Sequence, residues 1–271
     1  MIWTTRPRSE QGRLAAIVEG AGPLVVLLHG VGLRAEAWAP QIEAFAAAGY
    51  RVVAPDMIGH GQSAMQDATS LSDFAAPVTA LLSEPALLVG HSMGAMLALQ
   101  IAAQECSVVG VAALNAIYRR SPDAREAVRR RAAALDGHTL PDPTPTLTRW
   151  FGAVESRERC ACADWLGTID PAAYKAAYTV FAESDGSTDE ALAALACPAL
   201  FMTGAEEPNS TPAMSEAMAA KAPRGASLVL PGAAHMMPMT HAAAVTDQLL
   251  AFAAACHSPA DTTFAPRHGR P

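Results

Sequence analysis

Positive charge is scarce in this sequence: 19 Lys and Arg stand against 26 Asp and Glu, a formal net charge of -7. A nucleic-acid backbone would find no basic surface to bind, so that class of partner is excluded. Long apolar runs are missing too. No segment reaches the ~18 uninterrupted apolar residues that a membrane span needs. The opening MIWTTRPRSEQGRLAAI lacks the apolar stretch of a secretory signal, which leaves the cytoplasm as the expected compartment. Cysteine is sparse and irregular. Five residues (Cys106, Cys160, Cys162, Cys197, Cys256) in a chain of 271 argue for reduced thiols rather than a disulfide framework. Cys160 and Cys162 have no second Cys or His pair at zinc-ligand spacing, so no metal is expected. Neither G-x-x-x-x-G-K-[ST] nor a strand followed by G-x-G-x-x-G occurs, so no nucleotide cofactor is expected either.

What the chain does have is apolar content, 51% of its residues, enough to fill a sizeable core. Short apolar runs alternate with Ala-rich segments of helical period. Leu24 to His29, Val52 to Ala54, Ala86 to Val89, Val108 to Leu114, Ala199 to Met202 and Ser227 to Leu230 read as strands buried on both faces. Trp38 to Ala48, Leu71 to Ser83, Met93 to Gln104, Thr211 to Ala220 and Ala242 to Cys256 read as helices. Alternation of this kind predicts an α/β fold, a mostly parallel, doubly wound sheet. Residues 118–189 interrupt it with helix candidates and no strand. Strand character returns at Ala199, so the predicted core comprises 1–117 and 190–256 with one helical insertion between them. The arginines of that insertion (Arg119, Arg120, Arg125, Arg129, Arg130, Arg131) are interleaved with Asp123, Glu126 and Asp136 and read as a solvated helix face. The proline-rich tail 257–271 is expected to be disordered.

Leu88-Val89-Gly90-His91-Ser92-Met93-Gly94 places G-x-S-x-G where a buried strand ends and an apolar helix begins. A serine in so sharp a turn needs small neighbours two residues away on each side, here Gly90 and Gly94. The helix beginning at Met93 would aim its unpaired N–H groups at charge forming beside Ser92.

With LLHGVGLRAEAW (27–38), VVAPDMIGHGQS (52–63) and LVGHSMG (88–94) in that order, the chain resembles the α/β-hydrolase family from about Leu14 to Ala255. The resemblance implies Ser92 as nucleophile and the backbone N–H groups of Val31 and Met93 as an oxyanion hole. It assigns His29, His60 and His91 to loop shaping and makes GHG at 59–61 part of a turn rather than a phosphate cradle. The base must then come from elsewhere. His235 ends LVLPGAAH, a strand and Gly-containing turn downstream of the acid, as the Ser, acid, His order requires; His241 is the weaker alternative. The acid position follows the family's strand seven, three residues after a terminal glycine. Counted from Gly204 that is Glu207, with Glu206 as the alternative. Most relatives carry aspartate there, so this loop must stand back by one methylene. The other acid position used in the family, after strand six, holds Asn115, whose neutral amide cannot stabilise an imidazolium comparably. A serine nucleophile also disfavours dehalogenation.

The same resemblance makes residues 118–189 a helical lid over the serine. Its aromatic residues, with Met236 and Met237 beside His235, predict a largely apolar pocket drawing on Trp150, Phe151, Tyr178 and Met236. Such a pocket suits neutral esters, although Arg149 and Arg157 offer carboxylate anchors. The expected activity is cofactor-free hydrolysis of a small-molecule carboxylic ester or lactone through an acyl-serine. Carbon-carbon hydrolysis of a diketone-like compound and a small-molecule receptor are the alternatives.

Overall fold

The computed structural model describes residues 3–257 and Pro266. The predicted disordered tail, apart from His257 and Pro266, lies outside the described residues. Eight strands form one sheet: β1 (Ser9–Gln11), β2 (Leu14–Glu19), β3 (Leu24–Leu28), β4 (Arg51–Pro55), β5 (Ala86–His91), β6 (Val108–Leu114), β7 (Ala199–Gly204) and β8 (Gly225–Leu230), in the order β1-β2-β4-β3-β5-β6-β7-β8. From β4 to β8 every pairing is parallel, while β1 and β2 join antiparallel. The sequence reading missed both. β1 has no apolar residue, and neither strand shows the continuous burial that made its neighbours legible.

Every residue of β3, β5 and β7 is buried. Their side chains alternate between two cores, because successive Cβ atoms point to opposite faces. Leu24, Val26 and Leu28 enter one core, which also takes in Leu97, Leu99 and Met218. Val25 and Leu27 enter the other with Ile42, Phe45, Leu249 and Phe252. The second core is covered by helices α1 (Ala39–Ala47) and α11 (Ala242–Cys256), joined through the short α10 (Met237–Thr240). The first is covered by α2 (Leu71–Thr79), α3 (Met93–Ala102) and α9 (Pro212–Lys221). Helices on both faces of a parallel sheet leave its loops gathered at the C-terminal strand ends, where ligands bind in open α/β sheets.

Between β6 and β7 run five helices: α4 (Pro122–Ala133), α5 (Thr144–Phe151), α6 (Arg157–Leu166), α7 (Pro171–Glu183) and α8 (Asp189–Ala193). Ser121, Ser156, Asp170 and Thr188 cap four of them by accepting from a backbone N–H three residues on.

Candidate active site

Ser92 has φ 57° and ψ -120°, a left-handed conformation that a residue with a Cβ adopts only when its surroundings compel it. The compulsion is visible in the glycines. A Cβ on Gly90 would lie 2.1 Å from Gly94 O, and one on Gly94 would lie 2.2 Å from Leu28 O. Gly30 approaches from β3, where a Cβ would stand 3.1 Å from that of Ser92. The Met93 N–H opens α3 and is without an intrahelical partner by position. Val31 N–H makes no backbone hydrogen bond among the described residues.

Two histidines fix the Gly30 turn, each in one tautomer. His60 Nε2 accepts from Gly32 N at 3.0 Å while Nδ1 donates to Ile58 O at 2.9 Å. His29 Nε2 accepts from Met57 N at 2.9 Å while Nδ1 donates to Gly30 O at 2.8 Å. Burial disfavours their charged forms, lowering His29 and taking His60 down to about 3. The adjoining turn is built on Asp56, which accepts from Ala35 N and Gln62 N, pairs with Arg8, and sits where a Cβ of residue 61 would be, 2.2 Å from its Cγ. GHG at 59–61 is therefore wrapped around a carboxylate.

His235 and Glu207 meet across two loops. Gly204 ends β7 so close to the loop after β8 that a Cβ there would lie 2.0 Å from Ala233 O. Without that approach the loops could not bring the two side chains together. Glu207 Oε2 accepts from His235 Nδ1 at 2.8 Å, and Oε1 accepts from Asn209 N at 2.7 Å and Ser210 N at 3.3 Å. Burial pushes the Glu207 carboxyl up, but attraction to His235 and these donors outweigh it and hold the group at about 2. A carboxylate on Nδ1 leaves Nε2 of the neutral ring free to take a proton. Glu206 is exposed, and among the described residues His241 hydrogen-bonds to Thr240 and to the backbone.

The extra methylene is accommodated by a neighbour that sequence reasoning set aside. Asn115, at the end of β6 with φ 52°, donates from Nδ2 to Thr203 Oγ1 at 3.3 Å and to Glu207 Oε2 at 3.4 Å. His91 also contributes, donating from Nε2 to His235 O at 2.8 Å and so tying the His235 loop to the serine turn. Burial lowers His91 to about 3.

Ser92, His235, Val31 and Asn115 line one cavity of about 350 Å³. Its far wall comes from helical stripes: Ala124, Val128 and Arg131 of α4, Arg149 and Trp150 of α5, and Tyr174, Tyr178 and Phe181 of α7. Trp150 and Tyr178 are among the residues that line it. Phe151 and Met236 do not line the cavity. Phe151 leaves the stripe, because Arg149 and Trp150 stand three and four residues after Thr146 on one helix face while Phe151 stands five after it, and Met236 is 1% exposed within the core. The wall is also less apolar than predicted, for Arg120, Arg131 and Arg149 all reach it. Arg120, which is buried, departs from the solvated face assigned to its cluster, whereas Arg131 is exposed and borders the cavity from that face. Spacing alone could have found Arg131, which shares the i, i+3, i+7 stripe with Ala124 and Val128 if counted backwards from position 131. Arg157 does not line the cavity. The described residues hold no cluster of three or more potential metal ligands, and no helix among them is long and apolar enough to cross a membrane.

A parallel sheet of this order with a strained serine after β5 defines an enzyme of the hydrolase class. The sequence matches the Alpha/beta hydrolase family over residues 25–248, and the chain belongs to that family. It is 39% identical to an (E)-2-((N-methylformamido)methylene)succinate hydrolase of Acinetobacter baylyi, covering 82% of this chain and 87% of the relative. It is 31% identical to a pimeloyl-[acyl-carrier protein] methyl ester esterase of Xanthomonas campestris, covering 88% and 98%. Among solved structures, a thermophilic esterase from Thermogutta terrifontis superposes with TM-score 0.80 at 27% identity, covering 90% of this chain and 94% of the other.

Proposed function

We propose that the protein hydrolyses a small-molecule ester or amide through an acyl-Ser92 intermediate. The observation that carries this reading is the Glu207 to His235 contact at 2.8 Å on the wall of the cavity that also holds Ser92. In the first half-reaction His235 Nε2 takes the hydroxyl proton as Ser92 Oγ attacks the substrate's carbonyl carbon. The carbonyl electron pair moves onto oxygen, where the Val31 and Met93 N–H groups receive it. When the pair returns, the bond from that carbon to the leaving oxygen or nitrogen breaks, and His235 delivers its proton to the leaving group. Water repeats the cycle on the acyl-serine, giving a carboxylic acid and free Ser92. Glu207 stays ionised throughout and compensates the imidazolium charge.

Both bond types are supported by relatives, one named for a formamido compound and one for a methyl ester. The expected ester or lactone preference is therefore widened to amides. No cofactor enters this chemistry. Helices α4–α8 act in this reading as the lid, with residues 118–189 as the cap and 1–117 with 190–256 as the hydrolase core. The five cysteines are unpaired, which suits a reducing cytoplasm.

The test is turnover of p-nitrophenyl acetate and of an N-formyl enamine by wild type and Ser92→Ala, with labelling by a fluorophosphonate probe. Wild type turns over and is labelled at Ser92, and the variant does neither. Undiminished turnover by Ser92→Ala overturns the assignment.

A further inference from the structure

The cavity beside Ser92 carries a charge pattern that acyl transfer alone does not require. Three arginines and no Asp or Glu stand among its lining residues, in a chain whose formal net charge is -7. The arginines of the insertion fall into two groups, apart from Arg157, which has no carboxylate partner among the described residues and does not line the cavity. Arg119, Arg120, Arg125, Arg129, Arg130 and Arg159 each pair with a carboxylate. Arg131 and Arg149 pair with none among the described residues, and both line the cavity.

Arg120 is already committed. It donates to Ser184 O and Phe181 O, stands 3.4 Å from Asp185, and is buried, so it ties the segment before α4 to the C-terminal end of α7. The other two are only steadied. Arg131 Nε donates to Tyr178 Oη at 3.1 Å, and Arg149 Nη2 donates to Thr146 Oγ1 at 3.0 Å. A guanidinium has five donors, so each retains several for a ligand. Arg131 is exposed and Arg149 half-buried where they border the cavity, so both guanidiniums are open to a ligand, and a carboxylate received in the guanidinium fork makes two parallel hydrogen bonds. Because Arg131 comes from α4 and Arg149 from α5, they offer two separate anchors.

We propose that Arg131 and Arg149 form a carboxylate subsite, so that the substrate is a small dicarboxylic acid carrying the scissile ester or amide. This rests on the acyl-Ser92 reading for turnover, but the subsite can be tested without it. The neutral-ester pocket expected from the aromatic residues then becomes a pocket in which Trp150, Tyr174 and Phe181 flank a dianion.

Two measurements test it. The first is the ratio of kcat/KM for O-acetylmalate to that for its dimethyl ester, in wild type, Arg131→Gln, Arg149→Gln and Arg149→Lys. Wild type favours the diacid, each Gln variant lowers the ratio at least tenfold, and Arg149→Lys lowers it less than Arg149→Gln. The second is calorimetric binding of O-acetylmalate to Ser92→Ala, with and without each Gln substitution, after circular dichroism and melting show each variant folded. Binding that weakens at least tenfold on either substitution supports the subsite even if acylation at Ser92 is wrong. A wild-type preference for the dimethyl ester, or diacid binding unaffected by both substitutions, overturns the proposal and leaves the acyl-serine reading standing.

Discussion

The indole of Trp150 stacks on the imidazole of His235, ring centroids 5.6 Å apart and planes inclined by 20°. Trp150 comes from α5 and His235 from the loop after β8, so the inserted helices bear directly on the proposed base. An aromatic face packed on the imidazole holds its plane. Trp150→Ala should lower kcat/KM about tenfold, equivalent to ~1.4 kcal/mol of transition-state stabilisation. Trp150→Phe, which keeps a face, should lose less. Steady-state kinetics on one ester with both variants checks the ranking.

Glu207 and Glu206 are adjacent in sequence and opposite in environment, the first 3% exposed and the second at the exposed surface. On the proposed mechanism Glu207→Gln should cost roughly 10³ to 10⁴ in kcat, as loss of a triad acid does elsewhere. Glu206→Gln should stay within about twofold, since surface substitutions change little. Glu207→Asp should also lose activity, because the loop is fitted to the longer side chain through Asn209 N, Ser210 N and Asn115. Parallel kinetics on the three variants decides whether the longer acid is required.

Three buried histidines make the fold sensitive to acid. His60 and His91 sit at about 3 and His29 is lowered, against an unfolded value of 6.5, with burial the first cause in each. The unfolded chain takes up protons below about pH 6.5 that the folded chain refuses until nearer pH 3. Their stabilising contribution is present above pH 6.5 and is lost as pH falls through that window. Urea midpoints should therefore drop between pH 7.5 and pH 5, and His60→Gln should flatten the slope while lowering the midpoint at pH 7.5. Glu207 acts lower down. Its carboxyl at about 2 stabilises the fold above pH 4.5 and ceases to do so as pH falls toward 2.

Gly94 allows α3 to start against β3. Gly94→Ala would drive a Cβ to 2.2 Å from Leu28 O and 2.6 Å from His29 O, and because these are backbone atoms nothing flexible can yield. A loss of about 3 kcal/mol or more is expected, visible as a fall in melting temperature of roughly 6 to 12 °C. Gly12→Ala, with nothing within 4 Å but φ +59°, should cost only its backbone strain, about 1 kcal/mol.

By itself the sequence determined the parallel strands β3 to β8 and the chemistry-bearing turns, because both are local. Burial on both faces writes a continuous apolar run, as in Leu24 to Leu28, and a serine turn writes glycines at fixed offsets from Ser92. The same local counting from Gly204 reached Glu207. β1 escaped because it is a three-residue edge strand with no apolar residue, and β2, although paired on both sides, because its burial is interrupted rather than continuous. Only the tertiary structure decided which arginines are neutralised. Arg129 meets Glu183 across 54 positions and Arg119 meets Asp189 across 70, whereas Arg131 and Arg149 face the cavity with no carboxylate partner among the described residues. Charge compensation belongs to pairs brought together by helix packing, so a run of arginines in sequence does not say which of them is free to hold a substrate.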